Sequence, residues 1–464
     1  FFKQKTAYEI VDCDWSSDVC SSDLNDQGGT IKITAAAVNA VTVSGAGNVF
    51  GITNSGTIQA TNGTGNGIQL AGSAGLTGDI ANTATGKITV VDGNGIETIA
   101  LAKLTGNITN AAGGVIESTG NGRAVHVVGE VTGQVSNSGT IRSTGTGNSA
   151  VFVQGAIDGG IVNHNGGLIQ ATGTVTSAIL IQGGTADITN QSGGTITSSS
   201  TNASGDTIRF NGGTSTVSND GTISMTGSGV AAINVNSAST VSITNVGPAS
   251  GVIDGGAGSA IKIGANTTGG ITNQQGAVIK NSSASKATIL VDAAISLSGA
   301  IDNSGTIQNT GGGKAIELLG TVGGKLINRA TGTINGPVEI GQNTFDIQGG
   351  QVNGNTTGEN ASTVNFTLTP VSIASFGSFN PFLDSTGFAT GGAFALTQGA
   401  TSSINVTQGA VGIDHDLTAQ FAWIHEMQNL DASQALGLTA NSEGTLDSLH
   451  AKVSYFYKIG RAHV

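Results

Sequence analysis

The chain has 464 residues, of which 75 are Gly and 4 are Pro, with 10 % charged, 4 % aromatic and 37 % hydrophobic residues. That much Gly without a strict G-x-y period excludes collagen, and a formal net charge of −12 opposes a phosphate-binding surface, so nucleic acid is not an expected partner. No run approaches eighteen consecutive apolar residues, which excludes a membrane-spanning helix but not membrane strands.

In chain order, residues 1–24 (FFKQKTAYEIVDCDWSSDVCSSDL) differ in composition from the remainder of the chain. They back-translate into the reverse complement of a common short-read sequencing adapter and its flank, and the tail at 458–464 (KIGRAHV) back-translates into the start of the same adapter. Both ends are expected to be adapter-derived and are excluded from fold reasoning. Cys13, Cys20 and Trp15 lie in the first of them, so residues 25–457 contain no cysteine, hence no disulfide framework and no thiolate metal site.

From residue 25 an Asn returns about every 27 residues, at Asn25, Asn54, Asn82, Asn110, Asn137, Asn163, Asn190, Asn219, Asn245, Asn273, Asn303 and Asn328. Units such as ITNSGTIQATNGTGNGIQLAG from Ile52 and IDNSGTIQNTGGGKAIELLG from Ile301 carry three apolar pulses. These are the Ile or Val two positions before the Asn, a Thr-Ile pair such as Thr57-Ile58, and an alternating triplet such as Ile68-Gln69-Leu70 or Ile316-Glu317-Leu318. Period-2 alternation places a triplet's outer residues on one face and its centre on the other. Strands this short are unstable alone, whereas stacking in register buries the Ile, Val and Leu faces in one column. The expectation for 25–350 is an all-β, parallel β-helix of about 12 coils. The Asn series is expected to be structural, at turns where its side chain bonds its own backbone, or in a ladder of equivalent Asn residues in successive coils.

After Gly350 the rhythm breaks, and 351–411 is expected to hold terminal coils, a junction and first longer strands. From Asp416 the pattern changes again. Leu417, Ala419, Phe421 and Trp423 alternate with Thr418, Gln420, Ala422 and Ile424, and after a polar loop Leu449, Ala451, Val453, Tyr455 and Tyr457 alternate in the same way. Two such strands over 412–457 fit neighbouring strands of an outer-membrane barrel, truncated before closure.

No catalytic chemistry is expected. His126, His164, His415, His425 and His450 form no H-E-x-x-H, and His126, at a triplet centre, reads as a solvated residue. A β-helix enzyme acting on polysaccharide would need paired carboxylates on adjacent coils. Asp254, Glu317, Glu339 and Asp346 are scattered along the sequence, and Asp254 and Asp302 read as solvated turn residues. No catalytic, cofactor-binding or metal-binding residue is assigned.

The I-x-N-x-G-x-I units of 25–350 resemble the passenger of a bacterial autotransporter or a related filamentous adhesin, and 412–457 resembles part of its outer-membrane barrel. The resemblance implies a right-handed β-helix, export, and a non-enzymatic adhesive or structural rod at the bacterial surface. Implied partners are host or neighbouring-cell surface molecules, a second copy, and the outer membrane through the barrel, with no cofactor. Two alternatives stay open: a β-helix polysaccharide lyase or hydrolase, and a porin fragment falsely joined to an adhesin repeat region.

Overall fold

A computed structural model describes residues 8–10, 23–146, 148–173, 177–201, 205–247, 251–348, 350–354, 356–358, 362–368, 394–396 and 403–408. The strands expected at 412–457 and the tail at 458–464 lie outside the described residues. The chain is an all-β, right-handed parallel β-solenoid of about 11–12 turns. It divides into two compact units, residues 1–242 with 250–261, and residues 243–249 with 262–464.

Each apolar pulse becomes one short strand of a coil, and each stacks on its equivalent in the neighbouring coil. In the first unit Ile80–Asn82 pairs in parallel with Ile52–Asn54 on one side and Ile108–Asn110 on the other, Asn82 opposite Asn54 and Asn110. Lys87–Val90 lies between Thr57–Ala60 and Val115–Ser118, and Ile96–Thr98 between Ile68–Leu70 and Val125–Val127. In the second unit Ile301–Asn303, Thr306–Asn309 and Ile316–Leu318 occupy the same three places. We call these the Asn strand, the Thr-Ile strand and the triplet strand.

Alternation decides which residues reach the interior. Ile52 and Asn54 are buried with Thr53 between them only half-buried, and Ile68 and Leu70 are buried about Gln69. The column so formed is almost entirely Ile, Val, Leu and Ala. Each buried Ile, Val or Leu side chain contributes about 1.5–3 kcal/mol relative to exposure, which is what holds strands of three or four residues in place.

A fourth buried row was not anticipated. A strand of two or three residues precedes the Asn strand and stacks Leu76 on Leu104, Leu104 on Val131 and Val131 on Ile157. The chain turns a corner between the two strands. At Gly78 the backbone has φ +136°, and a Cβ would press on the Phe50 carbonyl. The next coils omit the corner, Thr185–Asn190 and Thr214–Asn219 running straight through, and in the second unit it returns at Gly269, with φ +125°, between Thr267–Thr268 and Ile271–Asn273. The apolar residue therefore stands four places before the Ile in Leu76/Ile80 but two before it in Ala186/Ile188, and that shift hides the row from a fixed-period reading.

Parallel stacking continues beyond residue 350. In the second unit Thr344–Gln348 pairs with Thr363–Leu368, which pairs with Ser403–Gln408, and Thr356–Gly358 pairs with Phe394–Leu396. In the first unit the backbone of Tyr8–Ile10 lies along Val41–Val43. An end strand offers free N–H and C=O groups to any extended segment, so this pairing does not speak to the origin of residues 1–24.

Phe210, at the end of its triplet strand, is fully enclosed. Phe210→Ala should cost about 3–5 kcal/mol, read as a lowered midpoint in denaturant titration of the chain.

Candidate functional site

The recurrent Asn residues end their strands with the side chain directed inward. None is accessible: Asn54, Asn137, Asn163, Asn190, Asn219, Asn245, Asn303 and Asn328 are 0 % exposed, Asn82 and Asn273 1 %, and Asn110 2 %. None takes a left-handed conformation; the described non-glycine residues with positive φ are Ala37, Leu101, Ala294 and Lys325. Each Nδ2 instead donates to the Oδ1 of the Asn one coil further on. In the first unit the bonds run Asn25 to Asn54, to Asn82, to Asn110 at 2.8 Å each, then to Asn137, Asn163, Asn190 and Asn219 at 2.8–2.9 Å. In the second unit Asn245 donates to Asn273 at 3.0 Å, and Asn273 to Asn303 and Asn303 to Asn328 at 2.8 Å. The series stops after Asn328, where the register partner is Ile347 and the amide donates to the Gln351 carbonyl at 2.9 Å.

The second amide hydrogen serves the backbone. Asn110 Nδ2 also reaches the Gly114 carbonyl in its own turn at 3.2 Å and the Thr140 carbonyl of the next coil at 3.1 Å. The amide therefore fills the inside of the turn, which accounts for the Gly four residues after Asn110; after Asn273 the same place is taken by Ala277. A Cβ on Gly114 would stand 2.6 Å from Asn110 Oδ1 and 2.7 Å from the Thr83 carbonyl. Buried this completely, the Asn series cannot meet a sugar or an ion from solvent.

Accessible chemistry lies on the outward face of the triplet strands. A second set of Asn side chains, Asn39, Asn66 and Asn94, stands two residues before its triplet. Each Oδ1 accepts the backbone N–H one coil on: that of Asn66 at 2.9 Å, Asn94 at 2.7 Å and Arg123 at 3.1 Å. Their amides turn to the triplet centres, Gln69, Glu97 and His126. Glu97 collects four donors, Asn66 Nδ2 and Gln69 Nε2 at 2.7 Å, Asn94 Nδ2 at 2.8 Å and His126 Nδ1 at 2.9 Å. Burial by itself raises the carboxyl pKa, but hydrogen bonds from His126, Gln69 and Asn66 and the charge of His126 outweigh it, leaving Glu97 below the usual carboxylate range.

His126 departs from the solvated reading. It is 8 % exposed, with Nε2 3.2 Å from Gln154 Oε1 and its ring 5.1 Å from that of Phe152, itself 5 % exposed. Arg123 lies over Phe152 with its guanidinium carbon 4.2 Å from the ring centroid. The Gly-rich connections leading into the triplets carry Arg123 onto this face, and periodicity alone gave no sign of that.

The structure also brings together two of the carboxylates that are scattered in the sequence. Glu317 and Glu339 are register partners on adjacent triplet strands, and Lys314 Nζ bonds to both. Burial lowers the Lys314 pKa, but the hydrogen bonds to Glu317 and Glu339 raise it by more, so it stays charged. Asp302 is not a turn residue but the centre of an Asn strand, paired with Arg329 at 2.5 Å. Asp346 is likewise on a strand and takes Lys325 at 3.0 Å, while Asp254 ends the strand Val252–Asp254. His164 bridges Ser136 Oγ at 2.8 Å and Gln191 Oε1 at 3.0 Å. His415, His425 and His450 lie outside the described residues. Among the described residues no three His, Cys, Asp or Glu side chains converge as a metal site.

Comparison with protein-family models, curated proteins and solved structures found no match.

The ladder and the Glu97 cluster each make a measurable demand on stability. Asn110→Ala strands the Asn82 donor and the Asn137 acceptor in a dry interior and should cost roughly 2–5 kcal/mol, whereas Thr109→Ala on the outward face should stay within about 0.5 kcal/mol; chemical denaturation distinguishes them. For Glu97 the lowered pKa means that its stabilisation is complete above the ordinary carboxylate value of 4.5 and is lost as pH falls through its own lower value. Glu97→Gln should therefore be less stable than the parent at pH 7, by about 1.5–3 kcal/mol, with the gap closing as the two are titrated into acid.

Proposed function

We propose that this chain is a non-enzymatic structural or adhesive solenoid, exported and displayed at a bacterial surface. The observation that carries the proposal is the Asn ladder. It commits the polar interior of coil after coil to the next coil, with the Ile and Val columns beside it, so the coil interior is scaffold throughout. What is left for recognition is the outward face, as suits a protein that presents surface rather than encloses a substrate. Residues 25–457 contain no cysteine, which is compatible with passage through an oxidising compartment without stray disulfides. The resemblance of the I-x-N-x-G-x-I units to autotransporter passengers and filamentous adhesins supports surface display and, through the barrel-like pattern at 412–457, attachment to the outer membrane.

The polysaccharide-enzyme reading has one observation in its favour, the carboxylates of Glu317 and Glu339 on adjacent coils. Acid–base hydrolysis needs one of the two to hold a proton. Lys314 is bonded to both carboxylates, so the trio is better suited to relieving like-charge stacking between adjacent coils than to catalysis.

In cells carrying the intact gene, protease added outside should digest the solenoid while leaving cytoplasmic markers whole, and an antibody to residues 25–350 should label unpermeabilised cells. A solenoid protected until the cells are lysed would overturn surface display. Polysaccharide turnover by the purified chain, abolished in Glu317→Gln, would overturn the non-enzymatic assignment.

A further inference from the structure

Four arginines lie in the described residues, and three are matched to a carboxylate. Arg142 is bidentate on Glu117 at 2.7 and 3.0 Å, Arg329 on Asp302 at 2.6 and 2.5 Å, and Arg209 stands 3.8 Å from Asp206. Arg123 is the exception. Among the described residues no carboxylate lies within ion-pair distance of its guanidinium and no side chain or carbonyl accepts from it, and its Nε is shut off from solvent without a partner. Glu97, the nearest acid by its electrostatic influence, is already saturated by four donors.

An arginine in this state is unusual because each unmet donor in a half-buried setting costs free energy. Burial lowers the Arg123 pKa, with the Glu97 charge only partly offsetting it. The side chain is nonetheless held in one place. Its own N–H is fixed by Asn94 Oδ1, and its guanidinium lies over the Phe152 ring, 4.2 Å from the centroid. The position explains the departure. Arg123 stands where Asn39, Asn66 and Asn94 stand in earlier coils, and an Asn there would spend its amide on the next triplet centre, which is Phe152 and accepts nothing.

We propose that the Arg123 guanidinium, lying over Phe152, is a recognition site for the carboxylate of an acidic sugar. The fork presents paired donors in the geometry that matches a carboxylate. Neighbouring positions carry neutral hydrogen-bonding groups suited to hydroxyls: exposed Asn121, two residues before Arg123, Thr146, whose hydroxyl meets Asn121 Oδ1 at 3.3 Å, and exposed Gln154, two residues after Phe152 and 3.2 Å from His126 Nε2. Asp92, the acid on the neighbouring connection, is turned to the Asn121 N–H at 2.8 Å. A chain of net charge −12 repels a polyanion at long range, so the ligand is a single carboxylate on an otherwise neutral glycan. This deepens the adhesive reading and rests on it only for its biological setting.

The test is titration of the purified chain with methyl α-glucuronoside, methyl α-glucoside and inorganic phosphate, followed by saturation-transfer NMR and calorimetry. The glucuronoside should bind, with the glucoside at least about tenfold weaker, and Arg123→Gln should weaken glucuronoside binding by a similar factor. Arg123→Lys, which keeps the charge and removes the fork, should lose about as much and serves if Arg123→Gln does not fold, as judged by circular dichroism. Equal binding of glucoside, no binding of glucuronoside, or binding unchanged in both variants would overturn the proposal. Phosphate binding as tightly as the glucuronoside through Arg123 would overturn the sugar assignment. Binding by the purified chain without display on cells would instead sink only the surface reading.

Discussion

Everything in this molecule depends on parallel, in-register stacking of coils that could not fold singly. The apolar columns supply most of the free energy, but they are tolerant of register, since Ile on Val is nearly as good as Ile on Ile. The Asn series is not tolerant. An amide displaced by one residue along its strand would point outward, leaving its neighbours above and below with a donor or an acceptor buried and unmet. Hydrophobic burial thus makes the solenoid stable, and the Asn bonds make the alignment unique. Glycines such as Gly86, Gly114 and Gly167 belong to the same constraint, because the Asn amide occupies the space a Cβ would need.

Other rows repeat the device. Asp79 Oδ1 accepts the N–H of Asn107 at 2.7 Å, and Asn107 Oδ1 that of Gln134 at 3.0 Å; Asp92 serves Asn121 in the same way. At these corners in the strand ladder, a short side-chain oxygen takes the backbone N–H that a strand partner would have taken. Charged residues follow the same logic, with Lys103 on Glu130 at 2.7 Å and Lys262 on Asp292 at 3.0 Å. Exposed pairs of this kind add little stability, but they keep like charges from stacking at the solenoid's repeat distance. Arg123 stands out against this background of matched neighbours, which is why it reads as a place where something other than the next coil is expected.

Much of the architecture was legible because the repeat is both periodic and alternating. The I-x-N and triplet patterns put Ile and Asn, or Ile and Leu, on one face, and a 25–30-residue spacing leaves room for little besides a coil. The row of Leu76, Leu104 and Val131 was not legible, since its offset from the Asn strand changes when the Gly corner is lost. Asp302, read as a turn residue, proved to be mid-strand because strand centres tolerate Asp once Arg329 stands beside it.

Composition and spacing by themselves determined that this is an all-β solenoid, where its coils begin, and which residues recur in each, because those properties depend on local alternation repeated along the chain. Tertiary structure alone decided which side chains meet across coils. His126 is buried rather than solvated because its ring lies between Glu97 of one neighbouring coil and Phe152 and Gln154 of the other. Glu317 and Glu339, 22 residues apart in sequence, become neighbours because one turn of the solenoid separates them. Arg123 is left without an anion because the position it faces in the next coil carries a ring instead of an amide. Such matches relate residues one full coil apart, and coil length varies too much for spacing alone to pair them.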